Sequence, residues 1–268
     1  MKRLMTLMGL TVTACALASA QATGDRVVVP ARNTSHPRVV NANSTHGSIT
    51  VKTYSGKDVI VETPSSSREG RHNNDQTVDG LRRIDLPSRG LVVEEEDNVI
   101  NIRAGSSGPE NLVITVPVDT SVHLRSTHGN VEADGVHGEV EVTTTNGQVS
   151  ASNISGTVVA SSTNGSVKVS MDRVDPGKPI SFSTVNGSVD VTLPADLKAN
   201  IKLRAVRGAI YSDFEMKLTG GQPATTNGGA DGKFRVEFDR TVYGTINGGG
   251  TEASFYSVNG RITIRKKK

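Results

Sequence analysis

The chain has no tryptophan and a single cysteine, Cys15. That cysteine falls within the first twenty residues, so a chain cut after Ala20 carries no thiol. Disulfides and thiolate metal sites are then excluded, even in an oxidising compartment. Aromatic residues are scarce, with five Phe and four Tyr, and stacking platforms for sugar rings are correspondingly few. Charge of one sign is lacking too. The 30 basic residues less Lys2 and Arg3 leave 28 against 27 acidic ones, a balance that builds no field for nucleic acid. No apolar run reaches the roughly 20 residues of a membrane-spanning helix, and no apolar stripe at helical spacing follows Ala20.

What is present begins with a targeting segment. Lys2 and Arg3 precede an apolar stretch from Leu4 to Leu17, and Ala18-Ser19-Ala20 supplies a small-x-small cleavage site. This reads as a signal peptide over residues 1–20 and an exported protein, periplasmic or at the cell surface. Val12-Thr13-Ala14-Cys15 also fits a lipobox, so lipidation of Cys15 competes with cleavage after Ala20. The remainder is rich in Gly, Val, Thr, Ser and Asn, a composition of strands and turns.

A repeat organises it. Gly-x-Val recurs at nine-residue steps from Gly129 through Gly138, Gly147 and Gly156 to Gly165. The residue before glycine alternates: His128, Asn146 and Asn164 recur at eighteen, with His137 and Ser155 between them. The unit is therefore an eighteen-residue coil with two similar halves. Asn-Gly suggests a turn, since both residues tolerate positive φ. Alternate apolar residues follow each glycine: Val140 and Val142, Val149 and Ala151, Val158 and Ala160, Val167 and Val169. Residues two apart share one face of a strand, so these are assigned to an interior. A meander would leave that face uncovered, whereas stacked coils bring it against an opposite wall. The phrase returns at Val185-Asn186-Gly187, Val206-Arg207-Gly208, Ile246-Asn247-Gly248 and Val258-Asn259-Gly260, and at the front as Thr45-His46-Gly47. A longer echo links Val116-Pro117-Val118-Asp119 with Leu193-Pro194-Ala195-Asp196, each leading to a further glycine phrase.

The expected organisation is a signal peptide (1–20), N-terminal strands, a hairpin and a polar loop (21–117), and a repetitive solenoid with C-terminal strands and a basic tail (118–268). The hairpin joins Leu91–Glu94 to Val99–Arg103 around Asp97-Asn98. Pro64–Thr77 and Thr219–Gly232 read as surface loops, and Lys266–Lys268 as a charged tail that discourages edge pairing.

These phrases resemble a bacterial family of adhesin-like domains of unknown function, over roughly residues 40 to 266. The matching features are the repeated Asn-Gly-x-Val turns, the Val116-Pro117 step and a Gly-rich stretch before a final Val-Asn-Gly-x-Ile strand at Thr245–Ile264. His46 and His128 stand where the family has Asn. The resemblance implies a right-handed β-helix-like fold outside the cytoplasm and supplies no catalytic residues.

Candidate chemistry is thin. His123, His128 and His137 lie close in sequence, but His128 and His137 fall at opposite edges of a coil and do not converge as zinc ligands must. His36, His46 and His72 have no partner at ligand spacing. Glu94-Glu95-Glu96-Asp97 is read as a solvated hairpin tip in preference to a calcium site. No Gly-x-Ser-x-Gly elbow or phosphate loop occurs. Glu132, Glu139, Glu141, Asp172 and Asp190 are the exposed acids that a glycan-cleaving site would need in facing pairs. No catalytic, cofactor or metal residue is assigned, and no cofactor is implied. The function expected is non-enzymatic, adhesin-like binding of an envelope polymer, surface or protein by the Thr/Ser/Asn face. Two alternatives stand beside it: an envelope stress-sensing or assembly partner of a membrane protein, and a polysaccharide-active β-helix enzyme.

Overall fold

The structure, a computed structural model, describes residues 26–32, 37–64, 77–78, 81–82, 91–104, 111–219, 224–226, 235–237 and 241–268. Residues 1–20, the expected signal peptide with Cys15, lie outside these, as do His36, His72 and most of Pro64–Thr77 and Thr219–Gly232. Every regular element among the described residues is a strand.

The strands stack as eight two-stranded rungs. Rung 1 is Val99–Arg103 with Leu112–Pro117, rung 2 Arg38–His46 with Ile49–Tyr54, and rung 3 Thr120–His128 with Val131–Asp134. Rung 4 is His137–Asn146 with the first part of Val149–Asn164, and rung 5 the rest of that strand with Val167–Val174. Rung 6 is Ile180–Asn186 with Val189–Leu193, rung 7 Thr251–Asn259 with Ile262–Lys266, and rung 8 Ala199–Arg207 with Ile210–Ser212. The first-named strands pair in parallel from rung to rung as a front wall, and the second-named as a back wall. Parallel pairing excludes the meander, in which successive strands run antiparallel.

Between the walls lies one continuous apolar core. Val140, Val142, Val149, Ala151, Val158, Ala160, Val167 and Val169 are all buried, as alternation requires. Each buried valine contributes about 1.5–3 kcal/mol relative to exposure. Larger side chains fill the later rungs, where Phe182 of rung 6 packs against Phe255 of rung 7 at 5.3 Å between ring centroids.

The rungs do not follow chain order at either end. Rung 2 precedes rung 1 in sequence yet sits between rungs 1 and 3. Rung 7, formed by the last residues of the chain, sits between rungs 6 and 8. The repeated Pro phrases are the crossings that skip a rung: Val116–Asp119 passes from rung 1 to rung 3, and Leu193–Asp196 from rung 6 to rung 8. Antiparallel strands extend the ends. Val92–Glu96 forms the expected hairpin on the front of rung 1, with positive φ at Asp97 and Asn98. Val59–Glu62 and Arg26–Val29 add to its back, and Thr241–Ile246 and Met216–Thr219 add to the front of rung 8.

Two local expectations need correction. Positive φ does not explain most Asn-Gly pairs. Asn146, Asn164, Asn186 and Asn259 end their strands in extended conformation, and the left-handed region is occupied by neither they nor the glycines after them; it is occupied at Asn247 (φ 49°) and Gly248 (φ 88°). The glycines are required by close approach instead: a Cβ on Gly147, Gly165, Gly187 or Gly260 would stand 1.8–2.2 Å from the carbonyl oxygen of the glycine one rung away. The basic tail, second, does not follow an edge strand. Ile262–Ile264 is paired on both sides, Lys267 N–H donates to Leu193 O at 2.8 Å, and its Nζ holds the Asp172 carboxylate.

Candidate functional site

The front wall turns every second residue outward, in three columns that stand two, four and six residues before each corner glycine. Two residues before it stand Thr45, Thr127, Thr145, Thr163, Val185, Val258 and Val206 on rungs 2 to 8, a column in which every residue is β-branched. The next column runs from Asn43 and Arg125 through Thr143, Ser161 and Ser183 to Tyr256 and Arg204. In-register stacking places like residues one strand spacing apart, about 4.8 Å. Ser183 Oγ donates to Ser161 Oγ at 3.0 Å along this column.

The corner itself is a ladder. Asn164 Nδ2 donates to Asn146 Oδ1 and Asn186 Nδ2 to Asn164 Oδ1, both at 2.8 Å, and Asn259 Nδ2 to Asn186 Oδ1 at 2.7 Å. His46 and His128 continue it as stacked rings, 5.2 Å apart and 6° from parallel. Sequence spacing gave His46 no partner; the pairing of rungs 2 and 3 supplies one across 82 residues.

Beneath the ladder lies a column that sequence reasoning missed. Ser126, Thr144, Ser162, Thr184 and Ser257 are buried three residues before the glycine, and each hydroxyl donates to the glycine carbonyl of the adjacent rung at 2.7–3.2 Å. The signal was a Ser or Thr recurring at that offset. It was hidden by the adjacent Thr145 and Thr163, which face solvent.

At its rung-1 end the front wall changes character. Asn41, Asn43, Asn101, His123, Arg125 and Glu141 surround a depression of about 300 Å³. Asn41 Nδ2 donates to Asn101 Oδ1 at 2.9 Å. Its Oδ1 therefore faces His123, whose Nδ1 donates to it at 3.0 Å. Arg125 and Glu141 approach to 3.6 Å, and His123 Nε2 and Glu139 to 4.0 Å. At the opposite end the wall is basic and aromatic: Arg204 lies over Tyr256 at 5.8 Å and Lys202 over Tyr243 at 6.0 Å.

The sequence-derived candidates separate accordingly. Glu139 and Glu141 share the front wall, on one strand and one face, and engage His123 and Arg125. Glu132 and Asp190 stand on the back wall, where Asp190 meets Arg265 at 3.3 Å. His128 sits at the glycine corner and His137 at the far end of the front strand of rung 4, as expected. Glu95 of the hairpin faces Arg32 at 3.1 Å. Among the described residues no group of three His, Cys, Asp or Glu side chains could hold a metal ion. A larger cleft of about 640 Å³ opens at the other corner between the loops at Pro176 and Pro194, with Val174 and Leu197 among its apolar lining and Arg173, Lys198, Asp172 and Asp196 among its charges.

Among the described residues no helix is long and apolar enough to cross a membrane. No curated protein matches the chain in sequence. Two crystal structures are similar in fold. One is of a candidate cell adhesion protein from Clostridium sporogenes, at 11% identity, covering 91% of this chain and 99% of that one with a TM-score of 0.42. The other is of a candidate adhesin from Bacteroides fragilis, at 13% identity, covering 91% and 97% with a TM-score of 0.36. Residues 34–247 match the Toastrack DUF4097 family, a domain of unknown function, across the span that holds seven of the eight rungs, and the chain belongs to that family.

Proposed function

We propose that this protein is a non-enzymatic binding protein of the cell envelope that engages an extended polymer along the outer front wall. The observation that carries this reading is the register of the columns. Hydroxyl and methyl groups of Thr127, Thr145 and Thr163, and the hydroxyls of Thr143, Ser161 and Ser183, recur at one strand spacing on a wall whose backbone is fully paired. Such a surface offers many equivalent weak contacts, and their sum rises with the length of the ligand engaged. Export by the N-terminal signal, to the periplasm or cell surface, belongs to the same proposal. So does a right-handed winding, the hand favoured for crossovers between parallel strands.

The test is sedimentation of the full chain with isolated envelope fractions and their purified polysaccharides. Replacing Thr145, Ser161 and Ser183 together by Arg should remove co-sedimentation while leaving the strand circular dichroism unchanged. Retention of binding by that variant would overturn the reading. Polysaccharide cleavage, lost on Glu139→Gln or Glu141→Gln, would replace it with an enzymatic one.

A further inference from the structure

We infer that the depression at the rung-1 end of the front wall is a subsite for one neutral, polyhydroxylated ring, a single sugar unit of the polymer proposed above, on which reading it rests. Its lining differs from the rest of the wall. Along the column six residues before the corner glycine, rungs 5 to 7 carry Val159, Ser181 and Ser254, side chains too short to enclose space. Rungs 2 to 4 carry Asn41, His123 and Glu141, longer planar groups that stand around a hollow of about 300 Å³, the lower end of the range for ligand pockets.

The chemistry selects the ligand class. One carboxylate, a guanidinium, an imidazole and three carboxamides offer hydrogen-bond donors and acceptors side by side. Vicinal hydroxyls match that, since each is donor and acceptor at once. Charge argues against ions: Arg125 is offset by Glu141 at 3.6 Å and His123 faces Glu139 at 4.0 Å. An anion would meet the Glu141 carboxylate, a cation the Arg125 guanidinium. An apolar ligand would strip water from these groups without replacing its hydrogen bonds. The hollow is also preorganised, because the relay from Asn101 through Asn41 to His123 holds three of its side chains before any ligand arrives, which lowers the ordering cost of binding.

The experiment titrates the full chain with glucose, galactose and N-acetylglucosamine while following side-chain amide resonances of asparagine by NMR. At least one sugar should shift the Asn41 and Asn101 amides saturably, with millimolar affinity. Asn41→Ala and Glu141→Gln should each weaken it about five- to tenfold, the scale of one lost hydrogen bond, and Ser170→Ala on the back wall should not. Absence of saturable shifts with every sugar, equal binding by Asn41→Ala, or shifts produced by acetate or phosphate instead would overturn the inference. The two readings fail separately. Polymer binding that is lost with the Arg substitutions on rungs 4 to 6, in a protein whose depression ignores sugars, overturns the subsite alone. Sugar binding without polymer binding overturns the extended-face reading alone.

Discussion

A methyl group on Gly165 would stand 1.8 Å from the Gly147 carbonyl oxygen, and the crowding comes from backbone that sheet pairing holds in place. The same oxygen accepts the Ser162 hydroxyl at 2.9 Å, so the corner cannot open without also losing a buried hydrogen bond. Gly165→Ala is therefore expected to cost about 2–3 kcal/mol, as overpacking does, in urea unfolding followed by circular dichroism. Gly177 provides the comparison. Its φ is 80°, but an added Cβ would have nothing within 4 Å, so Gly177→Ala should cost only the conformational penalty of about 1 kcal/mol. Equal losses at the two sites would mean that close approach is not what the corner glycines serve. The distinction could not be read from Asn-Gly as a dipeptide, because positive φ and steric proximity both select glycine and only the second depends on a neighbouring rung.

Strands obey simpler rules. Period-two alternation assigned Val149 to the interior and Thr145 to solvent, and both assignments hold: Val149 is buried and Thr145 exposed. Val149→Asp should unfold the central rungs, since an unpaired carboxylate would enter a dry core, whereas Thr145→Asp should shift the urea midpoint little. Equal tolerance of the two would contradict the assignment. Exceptions to the alternation rule were also instructive. Val159 lies in the outward register and is 40% exposed, an apolar residue that composition alone would have sent inward. Ser126, Thr144 and Ser162 lie in the inward register and are buried, stabilised there because each hydroxyl has the glycine carbonyl to satisfy it. The candidate site was legible only in part at this scale. The Thr and Ser columns follow from the repeat, but the Asn41–His123 contact joins residues 82 apart, and no local pattern announces it.

At the scale of the whole molecule, the order of the rungs makes the last residues of the chain a keystone. Rung 8 has rung 7 as its parallel neighbour on both walls, and rung 7 is built from Thr251–Lys266. Deleting residues 251–268 should therefore abolish amide-exchange protection in 199–212, although those residues remain in the chain, while rungs 3 to 5 stay protected. Protection persisting at 199–207 would mean that rung 8 docks directly on rung 6 and that the threaded order is dispensable. The front wall, extended at both ends by antiparallel strands, comprises eleven strands and spans about 50 Å at ordinary strand spacing. Its polar, charge-balanced character at rungs 1 to 4 gives way to Arg204, Lys202, Tyr256 and Tyr243 at the far end. A long ligand lying along the wall would meet these environments in sequence, and the polarity gives it a direction.

By itself the sequence determined the all-β class, the eighteen-residue coil, the inward column of valines and the hairpin at Asp97-Asn98, because each follows from residue spacing and local backbone preference. Tertiary structure alone decided which segments become neighbours. The phrases at Val116-Pro117 and Leu193-Pro194 mark a longer step, but nothing local states that another part of the chain fills the gap each one leaves. Strand pairing is a contact between distant residues, chosen by how complete the stack becomes, and it is this choice that sets His46 on His128 and brings Asn41, His123 and Glu141 around one hollow.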